Sequence, residues 1–192
     1  MELNNEYWSN HYVNNTHRWD IGHAAPAICR YIDGITNKNI SILIPGCGNA
    51  YEAAYLLEKG FTNITLVDIS SVLTERLRER FANAIDRIHI IHGDFFELEG
   101  QFDLIIEQTF FCALNPSFRK AYAEKMFALL KPGGKLAGLL FDRMFEGGPP
   151  FGGSKQEYED IFSQYFMIEQ MDACKDSIEP RAGTELWFCL RK

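Results

Sequence analysis

Four short stretches hold residues whose types and spacing suit ligand chemistry. They are Gly46 and Gly48 in "PGCGNAYE", Asp68 closing "ITLVD", Asp94 with Phe95 in "HGDFFEL", and Glu107 with Gln108 in "LIIEQTFF". Glycines between an apolar run and a helix let backbone N–H groups and the positive helix end come close to a bound molecule. Asp68, at the end of the next apolar run, is spaced to accept hydrogen bonds from ribose hydroxyls. Asp94 can accept from an adenine amino group while Phe95 packs on the ring. Taken alone, this spacing serves a dinucleotide equally well. The third glycine of G-x-G-x-x-G is missing, however, because Tyr51 stands in its place.

Charge helps choose between ligands. From Asn39 to Glu58 there is no Lys or Arg, and Glu52 falls in the first turn of the expected helix. A pyrophosphate would meet a carboxylate there. S-adenosylmethionine has no phosphate, carries a sulfonium and an ammonium, and suits an acidic site whose amides can still take its carboxylate. The plainer role for Glu52 is a helix-start cap.

The elements that must position these residues follow from periodicity. Short apolar and β-branched runs at 40–44, 64–68, 88–92, 102–107 and 135–142 read as strands, and helical patterns fill about 50–60, 71–83, 116–130 and 154–164. Strict alternation predicts a mainly parallel α/β sheet, with ligand residues gathered outside the carboxyl ends of its strands. Residues 1–33 precede the first strand and read as one or two helices carrying Trp8, Tyr12 and Trp19. After the fifth strand, the Gly and Pro of "RMFEGGPPFGGSKQEYEDIF" demand a loop at 143–153. Two further strands, 166–172 and 184–190, have no helix between them and should pair antiparallel, giving seven strands in one domain over 1–192.

Composition narrows the partners. A formal net charge of −7 across 192 residues argues against nucleic acid, since phosphate backbones require a basic face. No apolar run approaches the ~20 residues that span a bilayer, and the N-terminus lacks a signal-peptide pattern. Five cysteines without a C-x-x-C pair suggest free thiols in a reducing, cytoplasmic compartment, and neither a zinc site nor a disulfide framework. A soluble monomer acting on small molecules is expected.

Several segments then carry a specific resemblance. "HRWDIGHAAP", "LIPGCGNAYEAAYL", "EQTFFCALNPSFRKAYAEKMFALLKPGG" and "GGPPFGGSKQEYEDIF" resemble the thiopurine methyltransferase family, in particular its halide/thiol methyltransferase branch, within the class I S-adenosylmethionine-dependent methyltransferases. The resemblance runs over nearly the whole chain. It implies a Rossmann-like fold closed by a C-terminal hairpin and S-adenosyl-L-methionine as cofactor. It also implies cofactor contacts from Trp8, Trp19, Gly46, Asp68, Asp94 and Phe95, to which the glycine turn and strand-end spacing add Gly48 and Glu107. On the acceptor side it implies Arg119 and Phe141, and it makes residues 1–33 a lid. Two departures stand out. Position 50 is Ala where many relatives have Gly, and Phe141 replaces a Tyr of some plant enzymes, whose hydroxyl could help place a halide.

Methyl transfer from a sulfonium to a halide, hydrosulfide or thiolate is an in-line displacement that neutralises charge, so no general base is required. Consistently, no metal ligands at helical spacing and no Ser-His-Asp or Cys-His motif are identifiable, and His89 and His92 are expected to be structural. Cys47 and Cys112 are expected to act as small hydrophobes. The rival readings are a non-catalytic S-adenosylmethionine-binding protein and a nicotinamide-dependent oxidoreductase.

Overall fold

Alternating apolar runs and amphipathic segments become one layer of strands between two layers of helices, seen in a computed structural model that describes residues 2–192. Two helices, α1 (Asn5–Val13) and α2 (Pro26–Asp33), come first. There follow β1 (Ile42–Pro45), α3 (Tyr51–Glu58), β2 (Ile64–Asp68), α4 (Ser71–Arg80), β3 (Ile88–His92) and β4 (Phe102–Gln108). The chain then forms α5 (Arg119–Leu129), β5 (Leu130–Phe141), α6 (Lys155–Phe162), β6 (Met167–Ala173) and β7 (Glu185–Arg191).

The strands form one sheet in the order β3-β2-β1-β4-β5-β7-β6. Pairing is parallel from β3 through β5, whereas β7 runs antiparallel to both β5 and β6. The expected hairpin therefore pairs as predicted, and it inserts β7 beside β5 with β6 at the edge. The strand order reverses direction between β1 and β4, which opens a crevice beyond their carboxyl ends.

Burial follows from this layering. β1 is buried along its whole length, "ILIP", as a central parallel strand covered on both faces must be. One core, with Ile28, Ile32, Ile44, Leu56, Phe61, Leu66 and Leu77, lies under α2–α4; the other, with Phe111, Tyr122, Met126, Phe162 and Phe188, lies under α5 and α6.

Local boundaries differ from expectation where turn chemistry intervenes. α5 begins at Arg119 because Pro116–Phe118 forms a tighter 3₁₀ turn capped by the Asn115 side chain. β5 begins at Leu130, which pairs with Phe102; the register then shifts, so that Lys135 faces Leu104. "KPGG" is thus a bulge within a strand rather than a simple helix end. Among the described residues, no helix is long and apolar enough to cross a membrane.

Candidate functional site

A cavity of about 1180 Å³ lies at the carboxyl ends of the parallel strands and straddles the β1/β4 reversal. Its β1–β3 half is lined by Gly46, Gly48, Asp68, Asp94 and Phe95, as the sequence led one to expect. Gly46 and Gly48 have φ of +54° and +51°, and a Cβ at Gly46 would collide with the Phe110 ring. Only glycine meets both demands at position 46. Ala50, at φ +53°, holds a left-handed conformation that its Cβ disfavours and that glycine would adopt without strain.

Asp68 is buried and accepts from two backbone donors, Ser70 N–H at 2.9 Å and Gly48 N–H at 3.3 Å. Burial outweighs those bonds and pushes its carboxyl up to about 6. Asp94 is exposed at the next strand end; one oxygen caps the Phe95–Glu97 turn by accepting from Phe96 N–H at 2.9 Å, which leaves the other for the cavity that Asp94 lines. Phe95 is buried beside it, against Phe110.

The N-terminal segment closes this half from above. Trp8 and Trp19 both line the cavity and meet edge to face, their ring centroids 5.5 Å apart. α1 is pinned to the start of α4 by Ser71 N–H on Asn5 and by the Ser9–Ser70 hydroxyl contact at 3.0 Å. Asp20, in the "WDIG" stretch, accepts from the Asn49 side chain and from Tyr51 OH at 3.2 Å, tying the segment to the glycine turn. Glu52 accepts the Ala25 N–H at 3.0 Å and is buried, so its role includes holding the same segment down. These fastenings were not anticipated residue by residue. The Asp next to Trp19 was the available signal for them.

The other half is built from β4, β5 and the loops after β5 and β6. Phe141, Phe145, Pro149 and Pro150 line it, together with Arg143, Arg181 and Thr184. Arg181 donates to the Trp19 carbonyl at 2.8 Å, lies 3.4 Å from Glu185 and sits over the Phe141 ring at 5.3 Å. Sequence reasoning missed Arg181, which sits in a turn between two strands without any motif of its own.

Two expected contacts fall elsewhere. Arg119 is buried away from the cavity, paired with Glu157 and donating to the Gly152 carbonyl at 2.5 Å, so it anchors the 143–153 loop from behind. A helix position one turn after a proline could not tell the two faces apart. Glu107 is fully buried under the cavity floor, where it accepts from Phe110 N–H, Phe111 N–H and Tyr122 OH. Its neighbour Gln108 reaches the cavity in its stead. Of the adjacent phenylalanines that follow β4, Phe110 lines the cavity while Phe111 is core.

Cys47 and Cys112 also line the cavity, and both are buried. Burial and neighbouring acids push the Cys47 thiol well up and the Cys112 thiol to about 12, so neither is poised as a thiolate nucleophile. His92 bonds the Ile69 carbonyl at 3.2 Å and His89 lies on the edge strand β3, both consistent with structural roles.

The family model for thiopurine S-methyltransferase (TPMT) matches residues 3–189. The chain belongs to the thiopurine S-methyltransferase family. Membership places it among the S-adenosylmethionine-dependent methyltransferases of small sulfur nucleophiles, as its sequence resemblance implied, and sets the oxidoreductase alternative aside. Among relatives, it is 36% identical over 149 residues to "Probable thiol methyltransferase 2" of Arabidopsis thaliana, covering 74% of this chain and 65% of that one. It is 30% identical over 173 residues to "Thiocyanate methyltransferase 1" of Brassica oleracea, covering 87% and 76%. The fold matches 1,6-didemethyltoxoflavin-N1-methyltransferase of Burkholderia thailandensis at a TM-score of 0.77 with 20% identity, covering 98% of this chain and 86% of that one. That protein was crystallised with S-adenosylhomocysteine bound.

The residues present fit the family's cofactor. S-adenosyl-L-methionine carries a sulfonium and an ammonium, and the β1–β3 half offers Asp20, Glu52, Asp68 and Asp94 around an open glycine turn.

Proposed function

We propose that the protein methylates a small anionic sulfur nucleophile, a hydrosulfide, thiocyanate or organic thiolate, within this cavity. The observation that carries the reading is the division of charge. Asp20, Glu52, Asp68 and Asp94 line the half beneath β1–β3, with Arg18 entering from the covering N-terminal segment, whereas Arg143 and Arg181 line the half beneath β4–β7, stacked on Phe145 and Phe141. A cationic methyl donor and an anionic acceptor are thereby sorted to opposite ends of one chamber.

In this reading Asp68 accepts from the ribose hydroxyls, Asp94 from the adenine amino group, and Phe95 flanks the base. Gly46 and Gly48 let the amides of the turn approach the methionine carboxylate. Arg181 orients the acceptor, and Trp8 and Trp19 belong to a lid that excludes water. The methyl passes in line to the nucleophile, whose lone pair forms the new bond as the bond to the sulfonium breaks. Charge is neutralised in that step, so a general base is not called on, and apolar walls favour it.

Phe141 supports sulfur over halide, because its ring presents no hydroxyl to a halide and is occupied by the Arg181 guanidinium. Five free cysteines support a reducing, cytoplasmic setting. The test is a headspace assay with methyl-labelled S-adenosylmethionine in parallel vials of hydrosulfide, thiocyanate, iodide and no acceptor. Volatile label above the blank with the sulfur acceptors, and less with iodide, is expected. Iodide outrunning both sulfur acceptors would reverse the acceptor assignment.

A further inference from the structure

Glu107 sits outside the cavity, yet it bonds the turn that carries Phe110 into the cavity lining. A fully buried carboxylate is costly unless donors surround it. Here Phe110 N–H at 2.7 Å and Phe111 N–H at 2.9 Å converge on Oε1, and Tyr122 OH donates to Oε2 at 2.5 Å. What these bonds hold is a turn in an unfavourable conformation. Thr109 has φ +58°, which a β-branched residue adopts only where its surroundings impose it.

That turn touches both halves of the cavity. Phe110 packs against Gly46, while the Cys112 carbonyl accepts Phe151 N–H at 2.6 Å and so joins the turn to the 143–153 loop. We propose that Glu107 and Tyr122 are a positioning pair, in which the ionised carboxylate clamps the 109–113 turn and thereby sets Gln108 and Phe110 at the boundary between donor and acceptor. Neither member touches a substrate. The inference rests on the reading of the cavity as the site of transfer.

Protonation should loosen the clamp. The titratable groups facing Glu107 are Tyr122 from α5 and Cys112 from the turn. Across a void of about 10 Å³ lies Glu185 of β7, which is held by Arg181, and β5 contributes only Leu139, Leu140 and Phe141. Burial pushes the Glu107 carboxyl up to about 7. Below that pH a proton on Oε2 forces Tyr122 to turn from donor to acceptor and weakens the hold on the two N–H groups.

The experiment is kcat at saturating S-adenosylmethionine, with thiocyanate, hydrosulfide or iodide as acceptor, from about pH 5.5 to about pH 9. Thiocyanate is preferred because it does not titrate there. The native enzyme should lose activity on the acid side with a midpoint near neutrality. Glu107→Gln keeps an oxygen for the N–H groups but cannot ionise, so the acid limb should vanish and the plateau fall several-fold. Tyr122→Phe removes a donor from the carboxylate and should move the midpoint upward by about half a unit or more. Rates from native protein that are flat across the range, or one midpoint shared by all three proteins, would overturn the proposal. If either variant fails to fold, a ¹³C titration of the glutamate Cδ resonances in native protein decides the matter. A glutamate with a midpoint matching that of kcat supports the pair, and none titrating above the ordinary range overturns it. Failure of every acceptor with the native enzyme would instead remove the reading of the cavity, and the pair with it.

Discussion

The two halves of the cavity are built on different principles. Beneath β1–β3 the ligand surface is mostly backbone and short acids at strand ends, positioned by the sheet itself: Gly46, Gly48, Asp68 and Asp94 each stand within a few residues of a strand terminus. Beneath β4–β7 the surface comes from long side chains on loops, Arg143 and Arg181, the latter braced by Trp19 from the far end of the chain and by nearby Glu185. The first construction tolerates little change because backbone geometry is the binding element. The second can exchange side chains without disturbing the sheet, which suits a shared methyl donor facing varied acceptors.

Gly46→Ala should test that contrast most severely. The added methyl meets Phe110 at a positive φ, so donor affinity by calorimetry is expected to fall about 100-fold or more, or ~2.7 kcal/mol. Normal donor binding by the Gly46→Ala protein would show that the turn is not rigid. Next in size is Asp68→Asn, expected to weaken donor binding about tenfold through loss of charge-assisted bonds. Its pH behaviour sharpens the point. Donor hydroxyls favour the ionised carboxylate, whose pKa in the free protein is raised to about 6, so affinity should be full above that pH and fall as pH drops through it. The Asn variant should lack this dependence.

On the other half, Arg181→Met should raise the acceptor KM about tenfold and leave donor affinity within about twofold, with the native KM rising with salt and the variant's responding less. Equal losses for donor and acceptor would dissolve the distinction between halves. The smallest effect concerns fold alone. Ala50→Gly relieves a left-handed alanine and should stabilise the protein by roughly 0.5–1 kcal/mol, read as a rise of about 1–4 °C in Tm.

Legibility in the sequence divides along the same line. Five strand positions, the terminal hairpin and the glycine turn could be read from local pattern, because alternation, strand-end acids and glycine spacing are properties of a few consecutive residues. Arg119 and Glu107 show where that reading stops. Both occupy sequence positions beside ligand-facing residues, yet one turns toward Glu157 and Gly152, and the other toward Tyr122. Which face a side chain takes depends on what packs against it from 15 to 38 residues away.

The sequence by itself thus determined the fold class, the family and the residues that line the β1–β3 half of the cavity, since each depends on motifs whose chemistry is local. Only the tertiary structure decided which arginines line the β4–β7 half. Arg181 reaches Phe141 and the Trp19 carbonyl because β7 inserts between β5 and β6 and brings the turn before it over the cavity. Long-range pairing of that kind is selected by the burial of whole faces of the sheet, and no short stretch of residues encodes it.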